Sequence, residues 1–223
     1  MMKLLRVITP ALALAALGLL PGVSRASFVI TATNTPQAGD ENLLLNNGQV
    51  GSTVVGTTNQ TGFSVSLSSL TQTLTAPAAG QARVEAQGAG GAQVDLQGIS
   101  SIRLTDGGTF ASLVFNEFIG GGFGASGSTT ITVNGFTAGN IAQTFNQTFA
   151  IGSGSNFFTV VTSGGDRISS VGFTTTNGIA DIRQIRLGGP RAVPEPSSLA
   201  LMGLGVVAAS VVGLYRRSRK PVA

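Results

Sequence analysis

Carboxylates are the only side chains in the middle of this 223-residue chain that could carry acid–base or metal chemistry. The sequence has no His and no Cys, which excludes a Ser-His-Asp triad, His-bound zinc, thiol nucleophiles and disulfides. Lysine is absent between residues 27 and 190, which removes Schiff-base and Ser-Lys mechanisms. What remains is a carboxylate pair of the kind that hydrolyses glycosides, with Glu85, Asp95, Asp106 and Glu117 as candidates. Their spacing selects no two that must face one cleft, so the expectation is a protein that is not an enzyme. Sugar binding by stacking on large amphipathic rings is also thinly supported. Trp is absent, the only Tyr is Tyr215, and the twelve Phe are expected in the core.

The elements that would position these residues are set by where the charge lies. The formal net charge of +4 comes from the ends, where Lys3, Arg6, Arg25, Arg191, Arg216, Arg217, Arg219 and Lys220 sit. Between residues 27 and 190 five arginines (83, 103, 167, 183 and 186) face eight acids, a net of −3. A nucleic-acid partner is therefore not expected.

Residues 1–26 read as a secretory signal peptide. Lys3 and Arg6 form the positive start, residues 7–20 the apolar stretch, and Ser24-Arg25-Ala26 a small-x-small signal-peptidase site. Residues 191–223 read as an anchor. Pro194 and Pro196 hold the chain extended and accessible, and an apolar run over 199–214 predicts one membrane helix over about 198–215. Arg216, Arg217, Arg219 and Lys220 then form a basic stop that leaves the C-terminus in the cytoplasm.

Val193-Pro194-Glu195-Pro196-Ser197, the apolar helix and the Arg-rich tail, in that order, resemble the PEP-CTERM sorting signal of Gram-negative bacteria. The resemblance implies an exosortase substrate, cut at or near the Pro-Glu-Pro by that membrane protease. It also implies export across the inner membrane, a transient inner-membrane anchor, and arrival at the cell surface or extracellular matrix. Such proteins are associated with exopolysaccharide and biofilm.

The 27–190 segment predicts a single all-β ectodomain, an antiparallel β-sandwich of jelly-roll type. Short alternating runs are predicted as strands at 28–33, 42–45, 53–57, 62–67, 82–87, 92–97, 99–104, 110–115, 129–133, 144–151, 156–161, 168–174 and 179–187. A single short helical turn fits near 139–144. In the 82–97 hairpin, Val84, Ala86, Val94 and Leu96 are expected to face the core, with Arg83, Glu85, Gln93 and Asp95 outward. Pairing 84 with 94 sets Arg83 against Asp95, whereas the slipped register sets Glu85 against Asp95, so the first is preferred. The Gly-rich 120–127 segment is expected to be a flexible connection. It lacks the Gly-Lys-Ser/Thr of a phosphate cradle. Asn59-Gln60-Thr61 and Asn146-Gln147-Thr148 have N-glycosylation spacing, which carries little weight in a bacterial chain.

The ectodomain also resembles a recurring PEP-CTERM ectodomain type. The resemblance lies in the segments from Glu41 to Asn46, Thr57 to Gly62, Gly80 to Glu85, Gly107 to Phe110, Leu113 to Asn116, Asn156 to Thr159, Ile168 to Val171 and Ala180 to Arg186. It implies a β-sandwich without an established activity. The last strand looks like the closing strand of jelly-roll binding modules, where an acid often joins one from an early strand. That likeness points to a structural calcium held by Asp181 with Asp40 or Glu41, against the alternative that Asp181 pairs with Arg183. No other cofactor is expected. The overall expectation is a non-catalytic surface or matrix protein acting by interaction, with a carbohydrate-binding, lectin-like module as the alternative.

Overall fold

The structure, a computed structural model, describes residues 28–80 and 83–191. The expected signal peptide and the expected C-terminal membrane helix lie outside the described residues. Within those residues no helix is long and apolar enough to cross a membrane. The chain forms β1 (Phe28–Thr31), β2 (Glu41–Leu45), β3 (Gln49–Gly51), β4 (Thr53–Thr58) and β5 (Ser64–Ser68). There follow β6 (Thr73–Ala76), β7 (Glu85–Gln87), β8 (Gln93–Val94), β9 (Leu96–Leu104) and β10 (Ser112–Ile119). The last five are β11 (Gly127–Phe136), β12 (Ala142–Ile151), β13 (Gly154–Thr162), β14 (Arg167–Ile179) and β15 (Asp181–Gly188).

Eleven strands form one antiparallel sheet in the order β1-β13-β10-β15-β2-β4-β5-β9-β14-β11-β12. The expected sandwich is thus a single sheet rolled on itself. β15 and β2, joined by Arg186↔Asn42 and Leu187↔Glu41, connect a layer ending at β1 to a layer ending at β12. The other four strands form a small sheet, β3-β6-β7-β8. It docks on β15 through the Val84↔Ile182 bridge and through Gln93 Nε2, which donates to the Ala180 carbonyl at 2.9 Å.

Alternation along each strand decides which face is buried. In β11, Thr129, Ile131, Val133 and Gly135 point inward and are buried, while Ser128, Thr130, Thr132, Asn134 and Phe136 are half-exposed. Strand β10 is covered on both faces, its apolar residues interrupted by Asn116 and Glu117, both buried. The layers meet through aromatic rings. Phe115 of β10 lies 5.6 Å from Phe158 of β13 and 5.8 Å from Phe173 of β14, and Phe149 of β12 lies 5.3 Å from Phe158. Close approach needs glycine at Gly135, where a Cβ would collide with the Arg167 carbonyl and crowd the Phe28 ring.

Several expectations require correction. The 92–97 and 99–104 runs are largely one strand, β9, broken from β8 only at Asp95, and β3 and β6 carry too short a pattern to have been predicted. The segment near 139–144 is a turn entering β12, with Asn140 at φ 62; the short 3₁₀ turn lies at Ala89–Gly91. The Gly-rich connection is tied down by the Gly120↔Phe123 and Gly124↔Ile179 bridges. Its Gly124 N–H also donates to Asp95 Oδ1 at 2.7 Å.

The 82–97 hairpin adopts the slipped register, with Ala86 opposite Val94 and Gln87 opposite Gln93. Like-charge repulsion does not oppose it. Glu85 is ion-paired with Arg83, and Asp95 interrupts the strand and turns to Gly124. The turn sets the register instead, with the Gly88 N–H donating to the Ala92 carbonyl at 2.8 Å and Gly90 and Gly91 at φ 72 and 84. Val84, Ala86 and Leu96 are buried as expected; Val94 is exposed on a two-residue edge strand, and Glu85 is buried.

Phe115 is the residue on which both layers close. Phe115→Ala is expected to cost roughly 3–5 kcal/mol of unfolding free energy. Urea denaturation checks this, and a loss below about 1 kcal/mol would mean that the layers are held elsewhere.

Candidate functional site

The outward rows of β12, β11 and β14 run across neighbouring strands as Thr148–Thr130–Thr174, Asn146–Thr132–Gly172 and Thr144–Asn134–Ser170. Their side chains are linked into a polar array. Thr130 and Thr148 hydroxyls lie 2.9 Å apart, Thr144 Oγ1 donates to Asn134 Oδ1 at 2.7 Å, and Asn134 Nδ2 donates to Ser170 Oγ at 3.3 Å. The sequence from 118 to 165 contains no ionisable residue, so β11 and β12 contribute no charge to this face; Arg167 of β14 lies opposite Phe136 at its end and hydrogen-bonds Asn140.

At one end of the array β14 bulges. The register shifts between Asn134 and Gly135, leaving Ser169 as the extra residue, and Ser169 Oγ donates to the Asn134 carbonyl at 3.0 Å. A shallow cleft of about 220 Å³ opens there, lined among others by Asn134, Phe136, Gln143, Thr144 and Ser169. One aromatic ring with hydroxyls and amides, and no charge, suits a neutral polyhydroxyl surface. The alternating runs of β11 and β12 are visible in sequence, but the bulge that brings Ser169 to them is not.

The structure disperses the acids. Asp40 Oδ1 accepts from Ser112 Oγ at 2.6 Å and Oδ2 from the Gln37 N–H at 2.7 Å. Glu41 accepts the N–H groups of Gln60 and Thr61 at 3.0 and 2.8 Å and the Thr61 hydroxyl at 2.9 Å. Burial pushes the Glu41 carboxyl up, but hydrogen bonds from Thr61, Gln60 and Thr58 outweigh it and hold the pKa below the usual carboxylate value. Asp106 accepts from the Gly108 N–H, and Asp166 from the Ala138 N–H, both at 2.8 Å. The glycosidase-type candidates Glu85, Asp95, Asp106 and Glu117 are each engaged with a different local partner.

The calcium set does not assemble as expected. Asp181 faces Phe118 and Glu41 faces Leu187, at opposite ends of β15, six residues or roughly 20 Å apart. Asp181 instead forms an ion pair with Arg183, whose guanidinium stacks 3.8 Å over the Phe118 ring. Among the described residues no group of three or more His, Cys, Asp or Glu is placed to hold a metal ion.

Glu117 differs from the other acids. It is fully buried between the layers; Thr129 Oγ1 donates to its Oε1 at 3.0 Å, and its Oε2 has no hydrogen-bond partner among the described residues. Burial pushes its pKa up to about 8, so the group is neutral at pH 7. The carboxyl is sealed from solvent between the layers beside Thr129.

The signal-peptidase residues Ser24 and Ala26, the sorting residues Val193, Pro194, Glu195, Pro196 and Ser197, and the basic residues Arg216, Arg217, Arg219 and Lys220 lie outside the described residues. The last described residue is Arg191. It forms a backbone bridge to Thr109, with N–H to carbonyl distances of 2.9 and 2.7 Å.

Residues 192–220 match the PEP-CTERM protein-sorting motif. The chain therefore carries this motif directly after the Thr109–Arg191 bridge. No curated protein and no solved structure matches the chain.

The buried carboxyl makes stability depend on pH. Both states are protonated in acid; above about 4.5 the unfolded chain ionises at Glu117, while the folded chain stays neutral there up to about 8. Folded protein therefore loses stability as pH rises through this window, by roughly 5 kcal/mol in the limit from this one group, and levels off above it. Denaturant unfolding at pH 5 and pH 8 should show the fall, and Glu117→Gln should flatten it. Equal slopes in the two proteins would mean that Glu117 ionises freely when folded.

Proposed function

We propose that this is an exported, exosortase-processed protein of the cell surface or extracellular matrix, acting by interaction rather than catalysis. The observation that carries the reading is the join between fold and motif. The last described backbone pairing is the Thr109–Arg191 bridge, and the matched sorting motif begins at the next residue. A cut near Pro194–Ser197 would leave every described strand intact. In this reading signal peptidase removes residues 1–26, and the helix over about 198–215 holds the chain transiently in the inner membrane. Exosortase then releases the domain to the surface or matrix of a Gram-negative cell, where it contributes to exopolysaccharide or biofilm. The dispersed, locally bonded acids and the absence of charge on β11 and β12 support a non-catalytic role without a nucleic-acid partner.

A second reading, a glycan-binding module, is favoured by the uncharged cleft beside Phe136. Glycan-array binding by the mature protein that is lost in Phe136→Ala would select it. Matrix loss on deletion without glycan affinity would select the structural role.

Intact mass of the protein recovered from native envelope and culture medium tests the main reading. A chain from Ser27 to the Pro194–Ser197 region is expected, with the same thermal melting midpoint as the uncut form. A mass spanning Ser27 to Ala223 in every fraction would mean a permanent anchor and no processing.

A further inference from the structure

Strand β12 ends the eleven-stranded sheet, and among the described residues nothing pairs with its outer edge. At the other end of the sheet β1 is only four residues long, whereas β12 has ten, and its register with β11 runs unbroken from Gly127↔Ile151 to Phe136↔Ala142. Which backbone groups face outward follows from the turn. The Thr137 N–H donates to the Ile141 carbonyl at 2.9 Å, so the odd-numbered residues of β12 bond to β11. The even-numbered residues therefore turn their N–H and C=O groups to the free edge.

Those even residues read Ala142, Thr144, Asn146, Thr148, Ala150, the same in either direction, and all five are exposed. Natural edges are usually blunted by Lys, Pro, a bulge or a covering segment. Here the strand has no bulge and no ionisable residue of its own, Arg167 reaching only Asn140 in the turn before it. A surface that meets its own copy across a two-fold axis must be complementary to itself. A palindromic, uncharged, antiparallel strand edge has that property.

We infer that two copies of this chain pair antiparallel along β12, with the two-fold axis at Asn146. Thr144 of each copy then lies opposite Thr148 of the other, extending the Thr130–Thr148 hydroxyl ladder across the junction. Ala142 meets Ala150, and each Phe145, exposed at 38 %, is covered beside the other copy's Gln147. The two sheets become continuous, and the closed two-fold symmetry stops growth at a dimer. The inference names a partner for the proposed interaction role and rests on that reading only for its biological sense.

The absence of Cys from the chain makes single-cysteine cross-linking of the full chain in envelope preparations a direct test. An added copper–phenanthroline oxidant removes any dependence on export. Residues directly opposite in a hydrogen-bonded antiparallel pair have Cα atoms about 5.5 Å apart, within disulfide reach. Asn146→Cys should form a disulfide dimer on non-reducing gels. Thr144→Cys and Thr148→Cys should each fail alone, since like positions then lie roughly 13 Å apart, and should cross-link when co-expressed. Thr57→Cys, on β4 of the same layer, should stay monomeric. Asn146→Lys sets two like charges face to face while leaving the β11 bonds intact. Introduced into both chains, it should abolish cross-linking between co-expressed Thr144→Cys and Thr148→Cys. No dimer from Asn146→Cys, dimers at every position, or cross-linking unaffected by the Asn146→Lys substitution would overturn the inference. Chain length on the same gels after reduction reports processing separately, so failure of pairing and failure of processing are distinguishable.

Discussion

Phe115 touches both layers of the rolled sheet at once, with Phe158 on its own side and Phe173 across the core, and Phe149 completes the aromatic contact toward β12. Within the sheet itself the two layers are joined by only two residue pairs, between β15 and β2, with the isolated Phe110↔Ile168 bridge as a further backbone link. Apolar face packing must therefore supply what the sheet's own ladder does not. The inward rows of β9, β10, β11, β13 and β14, with Ile99, Ile102, Leu113, Ile131, Val133 and Val160, are buried around those rings. Bulges let the sheet curl tightly enough to bring its halves together. At one of them Gln184 sits at φ 54 on β15, and its side-chain carbonyl accepts from Asn116 Nδ2 at 3.3 Å.

The sparse charges serve this curl. Asp40, Glu41, Asp95, Asp106 and Asp166 each accept a backbone N–H in a turn or connection, so they act as fasteners for loops that have few apolar residues of their own. Arg83 and Arg183 neutralise Glu85 and Asp181 where those side chains are covered. With the acids committed to these duties, the 118–165 stretch is left with hydroxyl, amide and apolar side chains alone. That leaves the β11–β12 part of the outer face to hydrogen-bonding and apolar side chains without charge.

Much of the architecture was legible in residue order. Period-two alternation located most of the strands, though 92–97 and 99–104 fell largely into β9 and β3 and β6 went unpredicted, and composition excluded the His and Cys chemistries and, between 27 and 190, those of Lys. The Pro-Glu-Pro, apolar run and basic tail pointed to the sorting motif that residues 192–220 match. Less legible were features that depend on turns and distant contacts. The slipped 82–97 register follows from a glycine turn and from Asp95 reaching Gly124, 29 residues away. The burial of Glu117 follows from the layer that covers it, which alternation on β10 alone does not announce. The expected link from Asp181 to Asp40 or Glu41 failed because both ends of one strand were assigned to one site.

The sequence by itself determined the strand class, the absence of the commoner catalytic groups and the sorting motif. All three depend on residue type and local order: side-chain period, inventory, and a linear motif. Only the tertiary structure decided how the sheet rolls, which carboxyl loses its charge, where the bulge opens a cleft and which strand is left with an open edge. Those properties arise from neighbours distant in sequence, through desolvation, ring packing and the hydrogen-bond direction of each strand, and no local pattern encodes them.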